Sequence, residues 1–498
     1  MLKILKNETL FFNVRMWYIV FLLVYSVARQ NITALQPVLI WEVWNLIAIL
    51  LAAIIFLWHF ISFKSFFKTK YIWLLVVAFA VSCISTVINI EFTFIDNVKA
   101  IANMFIQFFV LFSIGTQVPK ERIKSEVRAI GVGISLLWMI AALISIFMYI
   151  FDITYTQIRY LWGDPTLINQ GFVRYDDGSA VMRLWGVFVD PNLASAISLA
   201  VICFSIFILL TVKHKFVKGV AVSNIVIQLL YVILSNSRTG LLIGLTLSFV
   251  GCWYFSFSYL KRKEAFKPKK LITEVIAVLL ALVAVFTYYA GNFVAKKTLP
   301  YVQYGVTKLV QICGFSDSFD RDGSMPNDTT DSDEITDSDK LTGLDRVDIA
   351  EKGDISNGRI ELWLEGFDVL KLNPVLGVGP RSYHARAATL DPDMIISARS
   401  VHNSYMELLM GSGIVGFLFV ALFFVLCAKD AIIYRYKNKQ HIFAVGILML
   451  IVLSALISGM FISSLFYYLS GVSVLVFGML GYAMAYLNDE NSDNKEVI

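Results

Sequence analysis

Apolar runs of about twenty residues recur along this chain, and they limit its fold more than any other feature. As a helix, such a run spans the roughly 30 Å hydrocarbon core of a bilayer. Backbone polar groups find no water in that core, so a chain that crosses it repeatedly pairs them within helices. The sequence therefore predicts an all-α polytopic membrane protein. The twelve candidate spans are 13–29, 38–60, 71–90, 98–117, 129–151, 191–211, 219–235, 239–260, 271–291, 404–427, 442–462 and 464–487.

The first candidate span is the weakest of the twelve, because Asn13 and Arg15 interrupt it. Residues 25–28 also resemble a signal-peptidase site, with small residues at the required offsets. We favour an uncleaved anchor, and cleavage would leave the orientation of all later spans unchanged.

Basic residues alternate between the two sets of loops that connect the spans. One set, together with the segments near the termini, holds 24 of the 42 Lys and Arg residues, whereas the short loops of the other set hold six. Loops enriched in Lys and Arg are the cytoplasmic ones. We therefore expect both termini in the cytoplasm and the largest loop on the other side of the membrane. The net charge of +5 reflects this topology, and no nucleic-acid partner is expected.

One polar loop is much larger than the others and divides the chain. It contains an acidic stretch at 316–340 that is rich in Ser and Thr and has little apolar surface to bury, so we interpret it as disordered. The predicted parts are spans one to nine with an outer loop at 152–190 (1–290), the large extracytoplasmic loop (291–403), spans ten to twelve (404–487) and a cytoplasmic tail (488–498).

An amphipathic helix is predicted after the acidic stretch, from Gly358 to Leu370. Its charged residues lie away from one apolar face. The following Asn373-Pro374 indicates a turn, and the sequence 377–379 indicates a tight passage of the backbone between two glycines. The apolar face consists of Ile360, Trp363, Phe367 and Leu370.

Four residues near the outer ends of the spans are candidates for chemistry. Arg183 precedes Asp190, a plausible N-cap of the sixth span. Arg238 lies in a polar break between two apolar runs, where an arginine is costly and usually has a partner. Arg359 begins the amphipathic helix, and His402 lies at the start of the tenth span.

Each candidate also has a structural interpretation. Arg183 could anchor the chain at the lipid headgroups, and Arg238 could hold a helix end through backbone carbonyls. Arg359 could pair with a nearby acidic residue, and His402 could cap its span. The second outer histidine, His384, lies in an arginine cluster, and we interpret it as structural.

Together the four candidates form a chemical pattern. Arginines that converge at a membrane surface suit a diphosphate, because the guanidinium fork matches two phosphate oxygens. A neutral histidine nearby suits deprotonation of an attacking hydroxyl. No Asp-x-Asp metal pair occurs near these residues, and we expect neither a metal nor a cofactor. The glycines at 411, 413 and 416 are interpreted as permitting close helix packing.

The order of these motifs resembles the bacterial O-antigen ligase and O-antigen polymerase superfamily. Arg-x-x-Gly-x-x-x-Asp-Pro-Asn begins at Arg183, and Ser-Asn-Ser-Arg-x-Gly contains Arg238. Gly-Arg-x-x-x-Trp contains Arg359 and is followed by Asn-Pro-x-x-Gly-x-Gly. The last motif, His-Asn-x7-Gly-x-Gly-x-x-Gly, begins at His402. The number of spans and the large loop before the tenth span extend the resemblance over the whole chain.

The resemblance implies a membrane glycosyltransferase that takes a glycan from undecaprenyl diphosphate by an inverting, metal-independent route. It implies diphosphate binding by Arg238 and Arg359, with Arg183 in support, and it makes His402 the catalytic histidine. The expected partners are the lipid-linked donor, an acceptor glycan or lipid, and membrane lipids. The expected location is the bacterial plasma (inner) membrane, with the active site on its extracytoplasmic side.

Three alternatives remain open at this point. The acceptor could be another lipid-linked repeat, as in a polymerase of O-antigen, capsule or exopolysaccharide, or a finished surface molecule, as in a ligase. A flippase or exporter of lipid-linked oligosaccharide would also be polytopic. Such a transporter should carry cationic residues at mid-membrane and show paired halves, whereas this chain has its polar chemistry at one face. We therefore favour the enzyme.

Overall fold

The computed structural model describes residues 7–36, 41–63, 66–161, 164–173, 183–262, 270–312, 358–436 and 441–488, so the acidic stretch 316–340 lies outside the described residues. The described ranges are predominantly helical. The helices are α1 (Glu8–Asn31), α2 (Trp41–Phe63), α3 (Ile72–Ile88), α4 (Phe94–Phe105), α5 (Lys120–Ile150), α6 (Pro191–Thr211), α7 (Lys215–Leu234), α8 (Arg238–Arg262), α9 (Lys270–Ile312), α10 (Arg359–Leu370), α11 (Tyr383–Leu390), α12 (Ile395–Ala398), α13 (Ser404–Tyr436), α14 (Ile442–Ser458) and α15 (Gly471–Asn488).

Every predicted span coincides with an apolar helix of the structure. Within the described ranges, nine helical stretches are long and apolar enough to cross a membrane, and α3, α14 and α15 are shorter apolar helices. The predicted polytopic helical architecture is therefore confirmed, while the number of twelve crossings stays a prediction. We call the helix ends that carry the segments 152–190 and 291–403 the loop end of the bundle.

Arg15, which interrupts the first predicted span, is fully buried inside the bundle. Its guanidinium donates to the carbonyl oxygens of Val110 (3.4 Å) and Leu111 (2.9 Å) and to the Tyr482 hydroxyl (3.1 Å). These carbonyls belong to a π-helical segment, Ile106–Ser113, that continues α4. The carbonyls at the end of a helix lack partners in the next turn. The arginine therefore supplies their hydrogen bonds and fixes α1 to the bundle.

A small antiparallel sheet occupies the segment that the sequence analysis treated as a polar loop. Its strands are β1 (Thr154–Leu161), β2 (Asp164–Val173) and β3 (Arg183–Gly186), in that order. The all-α class holds for the helix bundle, and this small sheet is an exception that the sequence did not predict. The first strand is rich in Thr, Tyr and Ile, which favour a pleated strand, and a search for long apolar runs does not detect such a short element.

The large loop, predicted to begin at Gly291, starts within α9, which continues through Gly291 to Ile312. This helix has 43 residues, which corresponds to about 65 Å at 1.5 Å per residue. The hydrocarbon core is only about 30 Å thick. The second half of α9 therefore projects beyond it, and there the Gln303 amide donates to the carbonyl of Tyr149 over 2.6 Å.

The three helices α10, α11 and α12 share a small apolar core with the start of α13. Its buried members include Leu362, Val369, Ile396 and Met410. The Glu365 carboxylate accepts hydrogen bonds from the backbone N–H groups of Ile395 and Ile396, which begin α12. The predicted apolar face of α10 is buried only in part, because Leu370 is buried and Trp363 packs against this core. Ile360 and Phe367 from that face are exposed, because α13 packs against the neighbouring side of the helix.

Helix α13 is interrupted at Gly413, whose φ of 64° and ψ of −174° are not helical. The segment after α10 lies in the gap. The Val378 N–H donates to the carbonyl of Met410, and the Ile414 N–H donates to the carbonyl of Pro374, each over 2.8 Å. Backbone groups inside a membrane protein need such partners, because no water reaches them. The break is therefore stabilised by an inserted piece of the large loop.

The glycines on both sides of this contact allow the two backbones to touch. A Cβ atom on Gly377 would lie 2.5 Å from the Gly413 nitrogen, and one on Gly413 would lie 2.2 Å from the Val375 oxygen. A Cβ on Gly411 would lie 2.9 Å from the Cα of Pro380. The glycines thus permit close packing, as predicted, but their partner is the loop segment 374–380 and not only a neighbouring helix.

We expect Gly413→Ala to destabilise the protein by about 1–3 kcal/mol, because alanine disfavours the left-handed conformation and its methyl group would overlap the Val375 oxygen. Thermal unfolding in detergent measures the effect. Gly478→Ala is the matched control, since a Cβ there meets no atom within 4 Å. Equal stability of the two variants would show that the break tolerates a side chain.

Candidate functional site

Strand β3 and the start of α6 bring Arg183 next to two polar residues. Asp190 is the N-cap of α6, as predicted, and its carboxylate accepts a hydrogen bond from the Asn192 N–H over 2.8 Å. The Arg183 Nη2 donates to the side-chain oxygen of Asn192 over 2.7 Å. Arg183 is half-buried, with its guanidinium 6.0 Å from the centre of the Trp185 ring.

Arg183 and Asn192 also hold the turn between α7 and α8. The Arg183 Nε donates to the carbonyl of Ser235 over 2.9 Å, and the Ser237 hydroxyl donates to Asn192 Oδ1 over 2.9 Å. Asn236, in the middle of the turn, has a φ of 48°, a left-handed conformation that residues other than glycine seldom adopt. Arg183 and Asn192 therefore fix an irregular turn that leads directly into α8.

Arg238 and Arg359 occupy equivalent positions on two different helices. Arg238 is the first residue of α8, and Arg359 is the first residue of α10. The N-terminus of a helix carries a partial positive charge, which makes it an unfavourable place for a cation. An anion bound there would interact both with the guanidinium and with free backbone N–H groups. Both arginines are half-buried, and Arg359 lies 5.7 Å from the ring centre of Phe461.

Lys296 is a further cation next to Arg238, and it was not predicted from the sequence. Its ammonium donates to the side-chain oxygen of Asn236 over 2.6 Å, so it lies at the same turn as Arg238. The lysine reaches the turn because α9 continues beyond its predicted end. Lys296 and Lys297 are adjacent in a stretch that was interpreted as loop. In the continuous helix their side chains point in different directions, so that Lys296 contacts Asn236 and Lys297 is exposed.

His402 lies in the short connection before α13. Its backbone has a φ of 49°, again in the left-handed region, and its side chain remains exposed. Asn403 begins the helix by accepting hydrogen bonds from the N–H groups of Tyr405 (2.9 Å) and Met406 (3.2 Å). Asn403, and not His402, is therefore the cap of this helix. Strained conformations of this kind are concentrated at functional sites.

The charged neighbours of His402 come from three separate segments. Partial loss of hydration and the positive charge of Arg359 lower the pKa of the imidazole below its ordinary value. The carboxylate of Asp190 opposes this change, and Arg399 adds to it. The neutral form of the ring is thus favoured near neutral pH, and the neutral form is the one that accepts a proton.

The four residues predicted from sequence are linked by these contacts at the loop end. His402 has Arg359 and Asp190 as electrostatic neighbours, and Asp190 caps the helix that carries Asn192. Asn192 and Arg183 hold the turn that precedes Arg238. Within the described ranges, no group of three or more His, Cys, Asp or Glu side chains could hold a metal ion.

His384 differs from His402 in its surroundings. Its Nδ1 makes a 2.7 Å hydrogen bond with the carbonyl of Ile396, and its ring centre lies 4.0 Å from that of Tyr383. Burial lowers the pKa of this imidazole as well. These contacts connect α11 to α12, in line with the structural interpretation of this residue.

The apolar helices indicate a multi-pass membrane protein, and the polar residues described above lie at one end of its helix bundle. No curated protein and no solved structure matches the chain.

Residues 223–421, about two fifths of the chain, match the family model described as O-antigen ligase. This match supports the resemblance to the O-antigen ligase and polymerase superfamily that the sequence motifs showed. The match includes Arg238, Arg359 and His402, whereas Arg183 and Asp190 precede it. The family indicates a membrane enzyme of polysaccharide biosynthesis that acts on lipid-linked glycans.

We expect Arg399→Gln to raise the pKa of His402, because the substitution removes one of the positive charges that disfavour the imidazolium ion. Titration of the imidazole by NMR measures the change, with His402→Gln used to assign the resonance. Lys371→Gln serves as the control, since Lys371 is exposed and paired with Asp368. A shift of the same size in the control, or none in Arg399→Gln, would contradict the described surroundings of His402.

Proposed function

We propose that this protein transfers a glycan from a polyprenyl diphosphate to an acceptor hydroxyl at the extracytoplasmic face of the plasma membrane. The observation that supports this proposal most is the convergence of cations and one accessible, preferentially neutral histidine at the loop end. Arg238, Arg359 and Lys296 supply the positive charge, and His402 supplies the base.

The cations suit a diphosphate better than a single carboxylate. Arg238 and Arg359 each combine a guanidinium fork with a helix N-terminus, and both features favour phosphate oxygens. Lys296 adds a point charge at the Asn236 side of the same turn. In this proposal the three residues neutralise the diphosphate without a metal ion, and the prenyl chain lies between the helices.

His402 acts as the general base of the transfer. Its neutral imidazole accepts the proton of the acceptor hydroxyl while the hydroxyl oxygen attacks the anomeric carbon of the donor. The bond between that carbon and the diphosphate oxygen breaks, and its electron pair leaves with the diphosphate. Attack from the face opposite the leaving group inverts the configuration. Arg359 then has two roles, because it binds the leaving group and helps keep His402 neutral.

Arg183 has a supporting role in this scheme. Two of its nitrogens already donate within the protein, to Ser235 and to Asn192. We therefore assign it mainly to positioning the turn that carries Arg238, and through that turn it supports the binding of the diphosphate.

The orientation of the protein follows from its basic residues. The loop end faces away from the Lys- and Arg-rich connections such as 213–218 and 261–270, which join the opposite ends of the helices. By the positive-inside rule those connections are cytoplasmic, and so are both termini. The candidate site then faces the extracytoplasmic leaflet of a bacterial plasma membrane.

Reconstitution in liposomes tests this function and separates its alternatives. Purified protein should join labelled lipid-linked glycan to a second lipid-linked repeat if it is a polymerase, or to a finished surface lipid or protein if it is a ligase. A flippase would move the labelled lipid between leaflets without forming a glycosidic bond. Movement without transfer to any acceptor would contradict the proposal.

We expect His402→Ala to reduce transfer by about 10²–10⁴-fold, the usual contribution of a general base, while donor binding stays near normal. His384→Ala should be milder at matched amounts of folded protein, since that imidazole contacts Ile396 and Tyr383. Transfer and donor binding are measured separately for both variants. Loss of donor binding in His402→Ala would make the histidine a diphosphate ligand, and full activity would remove it from the mechanism.

Lysine substitutions separate charge from geometry at the two arginines. Arg238→Lys and Arg359→Lys keep the positive charge but lose the planar fork that contacts two oxygens. We expect both variants to remain strongly impaired in transfer and in donor affinity. Unchanged kinetics in both would indicate general electrostatic attraction in place of two-point binding.

Lys296 and its neighbour Lys297 provide a matched pair. We expect Lys296→Gln to weaken donor binding by roughly tenfold, the size of one charge-assisted hydrogen bond, and Lys296→Arg to restore part of it. Lys297 is exposed and lies 5.0 Å from the ring centre of Phe293, so Lys297→Gln should have little effect. Equal effects of the two glutamine variants would mean that only the net charge of α9 matters.

A further inference from the structure

A polar cavity lies at the loop end, outside the site described above. Its volume is about 170 Å³, and it is bounded by the first turns of α2, by α4 and by the segment 459–470 that connects α14 to α15. At roughly 30 Å³ for each water, it has room for five or six waters or for a phosphate group with its ester oxygens. The polar residues that line it are Asn45, Asp96, Lys99, Asn103, Arg381 and Tyr468.

Arg381 is the central residue of this cavity. Its guanidinium lies 4.3 Å from the ring centre of Tyr468, and its Nη1 is buried without a hydrogen-bond partner among the described residues. The Tyr468 hydroxyl donates to the Glu407 carboxylate over 3.2 Å, which fixes the ring. The Arg381 N–H donates to Asn97 on α4 over 2.6 Å, which fixes the backbone. Arg381 also lines the cavity, and a guanidinium favours an anion as its ligand.

The cavity lies next to surfaces of α2 and α4 that suit the apolar chain of a lipid. Helices α2 and α4 touch at Phe56 and Phe105, whose ring centres are 4.9 Å apart, and the cavity lies beside the first turns of α2 and along α4. Exposed apolar side chains accompany its polar lining on each helix. Leu46 follows Asn45 and is 58% exposed, and Val98 precedes Lys99 and is 46% exposed. An apolar chain can therefore lie along the helices while its polar head enters the cavity.

We propose that this cavity binds the phosphate group of a membrane lipid. The rim carries Lys99 and Asp96, which form a 3.1 Å ion pair and are both largely exposed, so they nearly cancel. Arg381 then provides the remaining positive charge of the lining, since its acidic neighbour Glu407 does not line the cavity, and the amides of Asn45 and Asn103 line the walls. The anion is recognised through its oxygens, and the lipid chain is recognised by the apolar surfaces of α2 and α4.

The segment 459–470 connects this cavity to the candidate active site. Phe461 contacts Arg359 at one end of the segment, and Tyr468 contacts Arg381 near the other. A lipid in the cavity would thus be held beside the donor. Two sources present the required chemistry, namely a lipid-linked acceptor and a bulk phospholipid. The assignment to the acceptor rests on the proposed function, because only a transferase needs a second lipid-linked substrate.

Binding of labelled undecaprenyl diphosphate to the full chain in a phosphate-free detergent tests the proposal. The wild type should bind two equivalents of the labelled lipid. Arg381→Gln should weaken the binding of one equivalent by about 10–100-fold, as expected for a charge-assisted hydrogen bond. Asp96→Asn should tighten the same equivalent about two- to fivefold, because it removes the nearby negative charge. Arg386→Gln is the control, since Arg386 stacks on Phe92 at 4.6 Å and does not line the cavity.

The outcomes separate this inference from the proposed function. A single equivalent that depends on Arg359 and not on Arg381 would overturn the inference and leave the function intact. A single equivalent that depends on Arg381 and not on Arg359 would contradict the proposed donor site and support the cavity. An excess of phosphatidylglycerol identifies the source. Displacement of the Arg381-dependent equivalent supports a bulk phospholipid, and its retention supports a lipid-linked acceptor.

Discussion

The break in α13 at Gly413 is the feature on which the arrangement of the loop end depends. A transmembrane helix can be interrupted only where other groups pair the freed backbone atoms. Here the segment after α10 supplies them, through Val378 on one side of the gap and Pro374 on the other. This contact fixes α10 next to the first turns of α13. Arg359 and His402, which are far apart in sequence, consequently become electrostatic neighbours.

The site is completed by a second set of contacts between distant segments. Arg183 and Asn192 hold the turn before α8, and the projecting half of α9 brings Lys296 to the same turn. Cations at two helix N-termini and a histidine in a left-handed conformation are each unfavourable by themselves. Their occurrence together supports an anionic ligand. Such a ligand would compensate the repulsion between each cation and the positive end of its helix.

Much of this arrangement could be predicted from the sequence. Apolar run length located the helices, and the order of the polar motifs identified Arg238, Arg359 and His402 as residues of a matched family region. The strands around Arg183 were missed because short strands lack long apolar runs. Lys296 was missed because a helix that leaves the membrane becomes polar and resembles a loop. The buried face of α10 depends on where α13 packs, which no local pattern records.

A structure of the protein with undecaprenyl diphosphate bound tests the central claim most directly. The account predicts diphosphate density at the loop end, in contact with the guanidinium groups of Arg238 and Arg359, with the His402 ring facing the leaving-group side. The prenyl chain should extend between the helices. Diphosphate density away from both arginines, or at the opposite end of the bundle, would contradict the account.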